Sequence, residues 1–490
     1  MQDILRILLI SLISFTIVSC AKKSSDDSGS TSSTVTCASS RTLTATTKVP
    51  LLVVRVQYAN ATFQSNETTW ADKMFGTSDG QLNHYLDETT YSNYQFTPVT
   101  ESSGCANDGV VTVTMSGNHP DTRNYGSDDW KKRYDCYAAA AITEADKDVN
   151  FAAYDTDSND NLSVSELQVI FMVAGGESAS NINTPGGVWG MATSLYCDAD
   201  GDGSVRAEEG ERWLTLDNVS LMGRKDSAYG QNGYSKFGER QGSSPSNNWD
   251  ATIGVMAHEL GHAFFILPDL YDTSAIGAGI GYFGLMGSGA WGKKSSSEKS
   301  GTTPIHLSAW SKEKIGACVP QTVDNGTNNI ILPAVYQSIT DAASCGIYKA
   351  STSTSGEYFL FENRSPGGYD EGLYYKILRG STNYAAGSTY YTGGVAIWHV
   401  KDILSSCSNV STNNCEVQSP KLLDLEEAND ADLDNGSSKG RTTHLFYIGN
   451  SVTFDNSSTP NSKLYDNSSS GISATSISTA GDSMTLTISK

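Results

Sequence analysis

Apolar residues recur along this chain at two different spacings. The stretch 51–58 (LLVVRVQY) is short and almost continuously apolar, the pattern of a strand covered on both faces. From 70 to 87 the apolar positions follow helical spacing, 110–115 (VVTVTM) alternates as a strand, and 130–146 returns to a helical period. A second apolar strand, 168–174 (QVIFMVA), stops at Gly175 and Gly176. Strands alternating with helices predict a mixed α/β core. Beyond about residue 340 the helical periods give way to strands at 358–362, 395–400 and 483–488, separated by Ser- and Asn-rich turns. The expected class is α+β: a mixed-sheet domain over 48–340, then a β-rich portion over 341–490.

The segment 248–272 reads NWDATIGVMAHELGHAFFILPDLYD. Asp250 is placed to cap a helix on which Ile253, Met256, Ala257, Leu260 and Phe264 recur at helical spacing. His258 and His262 are four apart, so both imidazoles leave one face of that helix toward a single cation. Neutral imidazole suits Zn²⁺, and a site with few protein ligands leaves a position open to water. Glu259, beside the first histidine, is placed to take a proton from that water and pass it to a leaving amine. Asp269 stands seven residues after His262, beyond the helix-ending Pro268, and offers a carboxylate as third ligand. Asp272 and Glu313 are the alternatives.

Composition narrows the setting. A net charge of −21 argues against nucleic acid as a partner, since phosphate binding needs clustered Lys and Arg. At the N-terminus Arg6 precedes an apolar run, 7–18, too short to span a bilayer and read as an export signal over 1–19. Ile17-Val18-Ser19-Cys20 resembles a bacterial lipobox, which makes Cys20 the expected lipidation site and the lipid the only membrane contact. Ala21 after it suits delivery to an outer membrane. Residues 20–47, rich in Ser and Thr, form the expected tether. Setting Cys20 aside leaves eight of the nine cysteines, an even number that permits disulfides in an exported chain, with 407 and 415 the readiest local pair.

Two acidic loops have oxygen donors at the spacing of an EF-hand calcium loop. In 155–166 (DTDSNDNLSVSE) the donors are Asp155, Asp157, Asn159, Asn161 through its backbone carbonyl, and Glu166; Asp160 stands where glycine is preferred. In 198–209 (DADGDGSVRAEE) they are Asp198, Asp200, Asp202, Ser204 and Glu209, with Gly203 at the turn. Structural Ca²⁺ is expected at both. His399 reads as a packed core residue, His306 as opening a helix after Pro304, and His84, His119 and His444 carry no spacing argument.

The zinc helix, PDLYD, GYFGLMGSGAW (281–291), PIHLSAWSKEKIG (304–316), EYFLFENR (357–364) and GGVAIWHV (393–400) together resemble the immune inhibitor A family of secreted metallopeptidases. The likeness covers most of the chain after residue 48. It implies a zincin-like fold, zinc-dependent endopeptidase activity on proteins or peptides, and structural calcium. It carries over His258 and His262 as zinc ligands and Glu259 as the acid/base, and it suggests that Met286 lies in a turn beneath the metal. One departure stands out. The family pattern HExxHxxGxPD has a glycine where Phe265 stands, and its aspartate comes ten residues after the first histidine, whereas Asp269 comes eleven after His258. That shift supports a rival expectation: a catalytically inactive, calcium-dependent surface binding protein on the same scaffold.

Overall fold

The computed structural model describes residues 43–121, 128–180, 187–193, 195, 214–221, 233–244, 246–272, 276–337, 345–378, 393–402 and 420–490. The apolar run near the start of this region forms β1 (Thr47–Tyr58), and its continuous hydrophobicity follows from its central place in a sheet with both faces covered. Its odd-numbered residues Leu51 and Val53 enter one core, and Leu52, Val54 and Val56 enter another. Over the first face lie α1 (Glu67–Phe75), α2 (Leu82–Thr89) and α4 (Ile253–Ala263); over the second lies α3 (Asp128–Ala145).

The single helix expected over 70–87 is thus two. Gly76 ends the first in extended backbone, its N–H bonded to Asp72 O, and a Cβ there would overlap Gln81. The sheet itself is mixed. β1 pairs in parallel with β2 (Tyr94–Pro98), β3 (Val110–Met115) and β4 (Gln168–Gly176), and β4 pairs in parallel with β8 (Tyr234–Ser244). β8 closes antiparallel against β5 (Met191–Thr193) and β9 (Asn247–Asp250). A small hairpin, β6 (Thr215–Leu216) and β7 (Val219–Ser220), covers part of the second core.

After α5 (Ala309–Lys314) the chain turns to β structure. Strands β10 (Gln321–Thr322), β12 (Tyr348–Ser351), β13 (Glu357–Asn363), β14 (Val395–Lys401) and β15 (Leu423–Leu425) form a five-stranded sheet in that order; α6 (Glu371–Leu378) lies between β13 and β14 in the chain. β11 (Thr327–Pro333), β17 (Ser483–Ser489) and β16 (Ser473–Thr475) form a second sheet. Alternation again divides the work. Ala396, Trp398 and Val400 join the core beneath α4, while Val395 and Ile397 meet Ile330, Leu332, Met484 and Leu486 of the second sheet. Cys318 and Cys345 form a disulfide, whereas the local pair at 407 and 415 lies outside the described residues. Among the described residues no helix is long and apolar enough to cross a membrane. The export signal and Cys20 lie outside them.

Candidate metal centre

Every residue of α4 is buried, which its two glycines permit: a Cβ on Gly254 would collide with Ala290 O, and one on Gly261 with the Met286 sulfur. The helix begins two residues later than Asp250 suggests. Thr252 is the N-cap residue, and Asp250 instead pairs with Arg240 on the neighbouring strand.

His258 Nε2 and His262 Nε2 are 3.2 Å apart, and Asp269 Oδ1 is 3.0 Å from each. The opposite ring nitrogens are also fixed: His258 Nδ1 is 3.1 Å from Leu285 O, and His262 Nδ1 is 2.7 Å from Leu267 O. A carbonyl only accepts, so both rings carry a proton on Nδ1 and turn the Nε2 lone pair toward Asp269. Two nitrogen lone pairs and a carboxylate oxygen then converge on one point, an arrangement that a cation satisfies and a hydrogen bond does not. Protonating a ring is the other resolution. Desolvation lowers the His262 pKa, but Asp269 more than offsets this and raises it. A divalent cation at the same point would displace that proton. Burial alone would lift the Asp269 carboxyl, yet His262 and His258 hold it well below the usual carboxylate range. Nitrogen and hard oxygen donors of this kind suit zinc.

The extra residue before Asp269 is taken up by the helix exit. Phe265 N–H bonds Leu260 O and Leu267 N–H bonds Gly261 O, with Ile266 between them at φ 60°. The left-handed turn that leaves the helix thus comes one residue after the position of the family's glycine, on a β-branched side chain. This returns the chain so that Asp269 faces the histidines. Asp272 turns away, its Oδ2 accepting from Gly277 N–H at 2.7 Å, and Glu313 bonds Lys349 and Tyr358.

Glu259 is buried, and desolvation pushes its carboxyl up to about 8, with His258 pulling the other way. Two groups with no signal in the sequence share its surroundings. Lys236 of β8 is fully buried, and Glu177 accepts N–H bonds from Ala179, Gly190 and Gly238 at 2.9–3.0 Å. The anchoring carbonyls of Leu267 and Leu285 were equally invisible, because backbone groups leave no trace in residue identity. Met286 lies directly under α4, where its sulfur fills the space left by Gly261.

In the first acidic loop, Asp155, Asp157 and Glu166 bring carboxylate oxygens within 4.8 Å of one another. Asp160 takes φ 59°, the left-handed turn that aspartate tolerates. Asn159 lies in the loop bonded to Asp157 Oδ2 and to Asn161 N–H, and Asn161 reaches back to Asn159 O. The second loop, with Asp198, Asp200, Asp202, Ser204 and Glu209, lies outside the described residues. His399 is a buried core residue between Glu357 and Glu426. His306 precedes α5 rather than opening it, since Ser308 is the N-cap, and it pairs with Glu88 at 2.7 Å.

A family model described as immune inhibitor A peptidase M6, catalytic domain, matches residues 44–318. No curated protein matches the chain.

Proposed function

The chain belongs to the immune inhibitor A family of metallopeptidases, and from that membership we propose a zinc-dependent endopeptidase that hydrolyses peptide bonds in proteins. The observation that carries this reading is the meeting of His258 Nε2, His262 Nε2 and Asp269 Oδ1 at 3.0–3.2 Å beside Glu259. Zinc held there would supply Lewis acidity, lowering the pKa of a water to about 7 and polarising the scissile carbonyl. Glu259 takes the proton lost by the attacking water and returns it to the departing amine. Its burial favours proton uptake, while positive charge at the site keeps its carboxylate form available. Leu267 and Leu285 hold the imidazoles in the tautomer that leaves Nε2 free to bind. An extended substrate has a place to lie, because β5 ends the sheet order beside α4 and, among the described residues, no strand pairs with its outer edge.

Calcium at 155–166 and 198–209 would stiffen the domain outside the cytoplasm, where Cys20 would anchor it through lipid. The shifted aspartate no longer favours an inactive binding protein, since the Ile266 turn returns Asp269 to the histidines. Casein cleavage by the purified protein and its Glu259→Gln variant tests the reading. The variant should fold and keep its metal but lose about 10²–10⁴ in rate. Equal rates, or indifference of the wild type to a zinc chelator, would refute it.

A further inference from the structure

A second group of metal-ligating side chains lies in the C-terminal portion, beyond the segment matched by the family. His444 is completely buried, and neither of its ring nitrogens has a hydrogen-bond partner. Asp430 Oδ1 is 2.8 Å from His444 Nε2, yet it is also buried without a hydrogen bond, because it lies off the direction of a ring N–H. Glu427 Oε1 completes the group 3.4 Å from the same nitrogen, and all three donor atoms fall within 4.8 Å of one another.

The carboxylates are held from behind. Asp430 Oδ2 accepts from Thr443 Oγ1 at 2.6 Å, and Glu427 Oε1 accepts from Leu433 N–H at 2.9 Å. Asp432 stands farther off, 4.0 Å from His444 Nε2, and is engaged by Arg441. An imidazole this deeply buried without a hydrogen bond is costly unless something occupies its lone pair. A bare acidic turn leaves no such orphaned nitrogen.

We propose that His444, Asp430 and Glu427 form a second cation site, selective for a divalent transition metal such as Zn²⁺ or Mn²⁺. The imidazole decides the class, since calcium prefers an all-oxygen shell. Its role is to brace the active-site loop. Leu433 O accepts from Ala278 N–H and Lys439 O from Tyr282 N–H, both at 2.7 Å, so the ligand-bearing segment is stitched to residues 278–282. The Phe283 ring packs on His444 with centroids 5.8 Å apart, and two residues further on Leu285 anchors His258.

The test is zinc counting on the full chain, stripped by chelator and dialysed against limiting zinc with calcium in excess. Wild type should bind one ion more than His444→Gln or Asp430→Asn, each of which should weaken that ion at least about tenfold. Asp430→Asn keeps an acceptor for Thr443, so it reports on the site if His444→Gln fails to fold. The proposal is overturned if wild type holds no more zinc than the variants, or if calcium displaces the extra ion. The peptidase reading stands apart from this result, because the Glu259→Gln variant should retain the extra ion.

Discussion

Leu285 fixes His258 through its backbone: the carbonyl oxygen lies 3.1 Å from Nδ1, so the residue before Met286 sets both the tautomer and the tilt of the ring. The loop that carries this carbonyl is gripped on several sides. Leu285 N–H bonds His306 O at 3.2 Å, and Met286 O accepts from Leu270 N–H at 2.8 Å, next to Asp269. Arg364, fully buried, donates to Phe283 O at 2.6 Å while its other nitrogens fork onto Asp370 at 2.6 and 2.7 Å. The C-terminal β portion thereby helps to position a histidine that belongs to the N-terminal core.

Gly261 and Met286 should be coupled in stability. Adding a Cβ at 261 drives it into the Met286 side chain, which should cost about 1–3 kcal/mol. Met286→Ala alone leaves a cavity worth about 2–5 kcal/mol. The double variant Gly261→Ala/Met286→Ala should be more stable than the sum of the two losses, because each change relieves the other. Urea unfolding of the four proteins measures this. Simple additivity would show that the sulfur does not press on the helix.

Ile266 holds a backbone conformation unfavourable to β-branched residues. Truncation to Ala or Asn removes similar apolar area, but Asn adopts the left-handed region more readily. Ile266→Asn should therefore exceed Ile266→Ala in stability by about 1 kcal/mol, read from thermal or denaturant unfolding. The reverse order would contradict the turn described here.

Glu101 should make stability depend on pH through its own burial. Its oxygens accept from Ser103 and Asp108 N–H groups, yet burial pushes its carboxyl from 4.5 up to about 7. The folded state therefore holds this proton better than the unfolded one. The contribution is fully present below pH 4.5 and is lost as the pH rises through about 7. Glu101→Gln should remove that part of the decline in stability across this window, measured as unfolding midpoint against pH. An unchanged slope would mean that Glu101 titrates alike in both states.

The periodicities of β1, β3, β4 and α4 were legible because each element buries a face or its whole circumference. So was the pairing of His258 with His262, a local consequence of helical spacing. The break at Gly76 is marked by the loop-forming run Gly76-Thr77-Ser78-Asp79-Gly80, which the helical period continuing on both sides masks. Asp269 stood first among three candidate carboxylates, but the left-handed Ile266 that turns it toward the histidines has no signal in the spacing. His444 lay beyond spacing arguments altogether. Its partners Glu427 and Asp430 come from a loop that reaches it only after the chain has crossed residues 278–282.

Diffraction data collected on both sides of the zinc absorption edge, from crystals grown with zinc, show whether His258, His262 and Asp269 hold one metal ion. An anomalous peak is expected within about 2.0–2.2 Å of His258 Nε2, His262 Nε2 and an Asp269 oxygen. A peak coordinated by other side chains, or no zinc between these three at full loading, would contradict this ligand set.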